Sequence, residues 1–184
     1  MNQTIIGLDL SLTSTGLAIH QSGTITTHRI QTKGKRDDTW QQRHDRMNHI
    51  VTTITSHVPE NTHAFIEAPA YSRSDSGTWD RAGLWWMTYT ALQQKNCAIT
   101  PIAPNLRTKY ALGKGGGKDT GKDNVLAAAI KRYTDIDITG NDIADATIIL
   151  AMGLRLLGQP IDQDLPQTHL AALATIQLPE GHAK

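Results

Sequence analysis

The sequence predicts an α/β fold built on a mixed β-sheet, and three observations support this class. Residues 5–30 contain aliphatic and β-branched runs separated by short polar turns, as in antiparallel strands. Beyond them, segments of helical periodicity alternate with short apolar segments, as in parallel strands joined by helices. The chain of 184 residues, 39% hydrophobic and 19% charged, has the composition of one globular domain.

Five segments predict the strands. Residues 5–10 and 17–19 are apolar runs on either side of a Ser/Thr/Gly turn, and residues 24–30 follow a second turn, so these three strands form an antiparallel meander. Residues 64–67 follow a helical segment, and the right-handed crossover rule makes this strand parallel to the first. Residues 97–102 predict the fifth strand.

Two helices are predicted between the third and fifth strands. Apolar residues at helical spacing predict the first one at residues 40–58. Asp37 or Asp38 is available as its N-cap, and Pro59 ends it. The second is predicted at residues 81–95, where the wide apolar surface suits a buried helix or one that meets a partner subunit.

The C-terminal half predicts four more helices. The first runs from Pro104 to Leu112, and the second covers residues 125–133. The third begins at Asn141 as N-cap, and because it is apolar on nearly every face beyond Asp145, we expect it to be deeply buried. Residues 167–176 predict a last, loosely held helix.

Composition also limits which cellular compartment and which partners we expect for the protein. Cys97 is the only cysteine, so an internal disulfide is excluded and a reducing compartment is expected. There is no run of about 18 apolar residues and no basic-then-apolar signal pattern, so we expect a cytoplasmic protein with no membrane partner. The formal charge is +1, but residues 107–132 hold seven basic and two acidic residues, which predicts a local basic patch.

Asp9 is the first candidate functional residue. It shares one face of the first strand with Gly7, while Leu8 and Leu10 share the other. Aspartate is disfavoured in strands, and an unpaired carboxylate in a sheet centre costs several kcal/mol. Two interpretations remain open from this segment alone: a strand-end carboxylate that caps the following turn, and a metal ligand on a central strand.

Three more carboxylates occupy comparable positions. Glu67 ends the fourth predicted strand, where open α/β sheets place their ligands, although a solvated strand-end glutamate is an equal alternative. Asp142 and Asp145 share one face of a first helical turn. The helix dipole stabilises acids there whatever the function, but two carboxylates on one face of a buried helix repel each other unless a cation lies between them.

These four carboxylates together form a ligand set for two divalent ions. Ligation by oxygen alone suits Mg²⁺ or Mn²⁺. Two such ions about 4 Å apart can activate a water and stabilise the leaving oxygen of a phosphodiester.

A flexible glycine- and lysine-rich stretch covers residues 113–122. It lacks the Gly-x-x-x-x-Gly-Lys-Ser/Thr spacing of a nucleotide-binding loop. A loop that reaches toward a polyanion is the better interpretation, and a solvated linker is the alternative.

Five motifs occur in order along the chain: Gly-Leu-Asp-x-Ser-x-x-x-Thr-Gly at residues 7–16, Ile66-Glu67, Arg81-Ala82-Gly83, a basic segment from Pro104 to Val125, and Asp142-x-x-Asp145-Ala146. Together they resemble the RuvC-type Holliday junction resolvases of the ribonuclease H-like superfamily, over about residues 5–157. The short form resembles phage or mobile-element versions.

The resemblance implies an RNase H-like fold, a five-stranded mixed sheet flanked by helices. The nuclease domain would cover residues 1–158, followed by a C-terminal extension at residues 159–184. The implied function is a metal-dependent endonuclease that resolves four-way junctions and other branched DNA as a homodimer, with helix 81–95 as the candidate interface. The implied catalytic and metal-binding residues are Asp9, Glu67, Asp142 and Asp145, which would hold two Mg²⁺ ions with Mn²⁺ as a substitute, and the implied catalytic lysine is Lys122. The implied DNA contacts are Tyr71, Arg73, Lys109, Lys114, Lys118 and Lys122.

Two departures from the family pattern concern these assignments. The loop at residues 115–122 is longer than the family spacing, so Lys118 and Lys122 both remain candidates for the catalytic lysine. The family has an aromatic wedge three residues after its glutamate, where this chain has Ala70, and the neighbouring Tyr71 is the candidate instead.

Two other functions were weighed. The first motif also occurs in the actin and sugar-kinase superfamily, which makes an ATP-binding domain an alternative, but a chain of this length has no room for the second half that such proteins need. A catalytically silent junction-binding protein is the other alternative, and the complete acidic set argues against it.

Overall fold

The computed structural model describes residues 3–69 and 77–180, and the strands within these ranges form one five-stranded mixed sheet. β1 (Ile5–Asp9), β2 (Ser14–Gln21) and β3 (Thr24–Gln31) form the antiparallel part. β4 (His63–Glu67) pairs in parallel with β1, and β5 (Ala98–Ile102) pairs in parallel with β4. The strand order is β3-β2-β1-β4-β5, which confirms the predicted mixed sheet.

Helices cover both faces of this sheet. α1 (Trp40–His57) and α2 (Thr78–Gln94) pack on one face, where they share a core with Ile6 and Leu8 of β1. The other face packs against α3 (Pro104–Leu112), α4 (Lys122–Arg132), α5 (Asn141–Leu156) and the short α6 (Gln167–Leu170). Gly7 contacts α5, and the alternation of side chains along β1 therefore directs Asp9 toward the same face.

α5 lies unusually close to the sheet because two glycines face it. A Cβ atom at Gly7 would lie 2.2 Å from the carbonyl oxygen of Ala146, and a Cβ atom at Gly16 would lie 2.0 Å from the carbonyl oxygen of Asp142. Any larger residue at either position would push the helix backbone away. The helix is buried from residue 143 to residue 154, which confirms the predicted central helix. Gly16 thus brings the first turn of α5 against the start of β2, and Gly7 brings the following turns against β1.

Several predicted boundaries differ from those of the structure. The N-cap of α1 is Thr39, not Asp37 or Asp38, because Thr39 and Gln42 form a reciprocal capping box. The N-cap of α5 is Gly140, not Asn141, and a Cβ atom there would lie 2.2 Å from the Arg29 guanidinium.

The other differences concern helix lengths. α2 begins at Thr78 rather than at residue 81, and α4 begins at Lys122 rather than at residue 125. α6 ends at Leu170, well before the predicted residue 176.

The residues after α5 pack back onto α3 and α4. The buried Asp162 carboxylate accepts hydrogen bonds from the hydroxyls of Tyr110 and Tyr133 at 2.9 and 2.7 Å, and it pairs with Arg155 at 2.8 Å. Ala172 is fully buried in the same core. No helix in residues 3–69 and 77–180 has both the length and the apolarity needed to cross a membrane.

Candidate active site

The four predicted carboxylates converge at one edge of the sheet. Asp9 ends β1 and Glu67 ends β4, and because the two strands are parallel neighbours their carboxyl ends meet at the same edge. Asp142 and Asp145 lie in the first turns of α5, which the Gly16 contact holds against the same edge. The negative charge of Asp142 acts on Asp9, and that of Asp9 acts on Glu67. The structure thus brings together residues that are separated by up to about three quarters of the chain.

A buried arginine on α3 lies between two of these acids. Arg107 is only 9% exposed, and its Nε atom is 2.7 Å from Oε2 of Glu67. Its Nη1 atom forms an ion pair with Oδ1 of Asp145, which is 5% exposed. The guanidinium therefore bridges the end of β4 and the start of α5.

A second arginine holds the other acid of the α5 pair. The Nε atom of Arg29, on β3, is 2.7 Å from Oδ2 of Asp142, and the Ser14 hydroxyl donates a 2.6 Å hydrogen bond to the same oxygen. These contacts orient Asp142 from the antiparallel side of the sheet.

The sequence pattern does not reveal the arginine and serine partners of these acids. Arg29 and Ser14 lie on strands, where their spacing shows nothing of a partner more than a hundred residues away. Arg107 did carry a signal, because it is spaced i, i+3 and i, i+4 from Tyr110 and Ala111, which places all three on the buried face of α3. A buried arginine requires an acidic partner.

Burial raises the pKa values of the two strand-end acids. The pKa of Asp9 rises to about 6 even though the charges of Arg107 and Lys122 lower it, and Asp142 adds to the rise. Burial raises the pKa of Glu67 to about 7, although the charge of Arg107 lowers it, and the negative charge of Asp9 adds to the rise. The cations of the chain therefore do not fully offset the cost of burying these carboxylates, and the pocket favours additional positive charge.

The donor set of this pocket suits a hard divalent ion. Oε2 of Glu67 is buried without a hydrogen-bond partner, since the Arg107 N–H is not aligned with it despite the short distance. Within the described residues, no donor forms a hydrogen bond to the Asp9 side chain, and carboxylate oxygens are the ligands that Mg²⁺ and Mn²⁺ prefer. In the same ranges no three acidic, histidine or cysteine side chains surround a common point as ready metal ligands. Arg29 and Arg107 pair directly with Asp142 and Asp145.

The predicted lysines lie on three parts of the chain, namely α3, the glycine-rich loop and α4. Lys122 lies in the first turn of α4, and its charge acts on both Asp9 and Glu67. Lys118 is exposed in the glycine-rich loop, where its carbonyl oxygen accepts a 2.7 Å hydrogen bond from Lys114. Lys109 is half-buried on α3. The geometry thus favours Lys122 over Lys118 as the lysine beside the carboxylates.

The remaining predicted contacts, Tyr71 and Arg73, lie outside the described residues. A cavity of about 240 Å³ borders Glu67 and is lined by Leu10, Pro69 and Trp85. The Trp85 indole donates a 3.0 Å hydrogen bond to the Glu67 carbonyl oxygen, which fastens the end of β4 to α2. The cavity leaves Glu67 accessible from this side.

The fold is shared with solved resolvases. The structure of RuvC from Thermus thermophilus superposes with a TM-score of 0.61 at 15% identity, over 85% of this chain and 98% of that one. RuvC from T. thermophilus in complex with a Holliday junction substrate gives a TM-score of 0.60 at 13% identity, over 97% of this chain and all of that one. The fowlpox virus Holliday junction resolvase gives 0.52 at 13% identity, over 83% and 97%.

No protein-family model and no curated protein sequence matches the chain. At such low identity the structural likeness demonstrates the fold, and it confirms the predicted RNase H-like architecture of the RuvC type.

Proposed function

We propose that this protein is a divalent-metal-dependent endodeoxyribonuclease that resolves four-way DNA junctions, and other branched DNA, by phosphodiester hydrolysis. One observation carries the proposal: on a RuvC-like fold, Asp9, Glu67, the Asp142/Asp145 pair and Lys122 meet at one sheet edge. Arg107 and Lys122 offset only part of the cost of burying Asp9 and Glu67, whose pKa values stay raised, and a bound metal would offset the remainder.

The residues of the chain have distinct roles in this proposal. Asp9, Glu67, Asp142 and Asp145 would hold two Mg²⁺ ions, for which Mn²⁺ can substitute. Bound ions would lower the pKa of a water and neutralise charge that develops on the phosphate. Lys122 would donate to a phosphate oxygen in the transition state, since its charge already reaches Asp9 and Glu67. Arg29 and Ser14 would keep Asp142 in place.

The basic segment would contact the DNA backbone. The proposed phosphate contacts are Lys109, Lys114, Lys118 and Lys122, together with Tyr71 and Arg73, which follow β4 in the sequence. The exposed lysines of residues 113–122 suit a flexible polyanion contact because glycines let the loop follow a curved backbone. Replacement of Lys109, Lys118 and Lys122 together should weaken junction binding and flatten its salt dependence.

A homodimer would supply the second active site that a symmetric junction requires. α2 carries a wide apolar surface in which Trp86 is 61% exposed and stacks edge-on with Trp85. We propose this face of α2 as the dimer contact. Sedimentation with and without junction DNA tests it, and a monomer under both conditions would contradict it.

The decisive experiment uses labelled four-way, three-way and duplex DNA with and without Mg²⁺. We expect symmetric nicks in the four-way junction that require the metal, and none in the duplex. Asp9→Asn should abolish cutting while junction binding persists, because it removes a metal ligand and no phosphate contact. Asp45→Asn, at an exposed site on α1, is the matched control and should cut like the wild type. Junction binding without cutting, in the presence of Mg²⁺ or of Mn²⁺, would instead indicate a catalytically silent junction-binding protein.

A further inference from the structure

We propose that Arg107 is a built-in counter-cation that competes with the divalent metal for Glu67 and Asp145. This inference rests on the proposed function, because it assigns a role toward the same metal site. It concerns a residue that the acidic motifs do not include.

The contacts of Arg107 support direct competition. Its guanidinium meets Oε2 of Glu67 with one nitrogen and Oδ1 of Asp145 with another. These two acids come from different elements, and the third nearby acid, Asp9, also senses the same charge. A metal ion that used these same two oxygens would need the positions that the guanidinium nitrogens occupy. Both cations therefore cannot hold Oε2 of Glu67 and Oδ1 of Asp145 at once.

The same contacts would stabilise the pocket when no metal is bound. A carboxylate removed from water is strongly destabilising unless a cation compensates it, and Arg107 compensates two acids that are each largely buried. The chain thus gains a folded apo site at the expense of metal affinity.

The pairing with Glu67 is nevertheless incomplete, which makes displacement feasible. The Arg107 Nε atom and Glu67 Oε2 are 2.7 Å apart, yet both are buried without a hydrogen bond because the N–H does not point at the oxygen. A metal ion that replaced this contact would form a bond that the arginine does not make. A purely structural ion pair predicts no such gain for the metal when Arg107 is removed.

The test measures Mn²⁺ binding to the purified full chain by the loss of the free Mn²⁺ signal in electron paramagnetic resonance, at a pH above the Glu67 pKa of about 7. We expect Arg107→Gln to bind Mn²⁺ at least about tenfold more tightly than the wild type, the factor that one hydrogen bond to a charged group contributes. Arg107→Lys should lie between the two, because one ammonium group cannot bridge both acids. The rise in melting temperature on adding Mn²⁺ should follow the same order.

A matched arginine provides the control. Arg43 holds the buried Asp80 on α2 through contacts of 2.6 and 2.8 Å, and Asp80 is not one of the four carboxylates of the site. Arg43→Gln should lower the melting temperature of the apo protein, as we expect of Arg107→Gln, but should leave Mn²⁺ affinity unchanged. This separates loss of an ion pair from loss of a competitor.

The outcomes distinguish this inference from the proposed function. If the wild type binds Mn²⁺ and cuts junctions but Arg107→Gln binds Mn²⁺ equally or more weakly, the competition is refuted and the nuclease stands. If no variant binds Mn²⁺ at millimolar concentration, both proposals fail. If Arg107→Gln does not fold, Arg107→Lys decides, with tighter binding in favour and equal or weaker binding against.

Discussion

Replacement of Gly16 by alanine tests how closely α5 must approach the sheet. The added Cβ atom would lie 2.0 Å from the Asp142 carbonyl oxygen, whereas a carbon and an oxygen normally approach to about 3.3 Å. The first turn of α5 would have to retreat by about 1.3 Å, because the Asp142 carbonyl belongs to the backbone and the position of a Cβ atom is fixed by its own backbone, so neither can rotate away. We expect the free energy of unfolding to fall by about 3 kcal/mol, the upper end of typical overpacking costs.

Urea unfolding followed by circular dichroism measures this loss. Because Asp142 and Asp145 move with the helix, junction cleavage by the folded variant should also fall about a hundredfold, as for a misplacement of about 1 Å in an active site. Gly116→Ala is the control, since its Cβ atom would meet nothing within 4 Å and its φ is not left-handed, so its stability should change by less than about 0.5 kcal/mol. A Gly16→Ala protein as stable as this control would refute the close approach.

Two further predictions concern charge. Lys122→Gln should lower the cleavage rate at saturating junction by about a hundredfold. Lys118→Gln should leave that rate unchanged and should reduce the slope of log affinity against log salt concentration by about one. Equal effects of the two substitutions would contradict the assignment of Lys122. In metal-free protein, the free energy of unfolding should fall as pH rises from about 4 to about 7, because the raised pKa values of Asp9 (about 6) and Glu67 (about 7) keep protons on the folded state that the unfolded chain has released. Urea titrations across this range should show the decline, Glu67→Gln should make it shallower, and a stability that rises over the same range would exclude the raised values.

The sequence was sufficient for the architecture because local patterns carry it. Alternation along residues 5–10 assigned Asp9 and Gly7 to the same face, and the contacts of Gly7 with α5 confirm it. The crossover rule made β4 parallel to β1, so Glu67 had to end beside Asp9. The nearly continuous apolar surface after Asp145 marked α5 as the central helix.

Helix starts were less predictable because several residues near each start can cap it. Asp37 and Asp38 are good N-cap residues, yet the reciprocal bonds between Thr39 and Gln42 satisfy two backbone donors at once. The start of α4 at Lys122 also bears on the proposed function, because it places that lysine near the acids and leaves Lys118 in the loop.

By itself, then, the sequence determined which carboxylates end the strands and which face of each element is buried, because side-chain periodicity records that face. Only the tertiary structure decided that Arg107 and Arg29 neutralise the acids of α5 and that Gly16 sets the distance of Asp142 from the sheet. Those pairings join residues tens of positions or more apart, and they depend on how the helices dock on the sheet. No local spacing encodes that geometry.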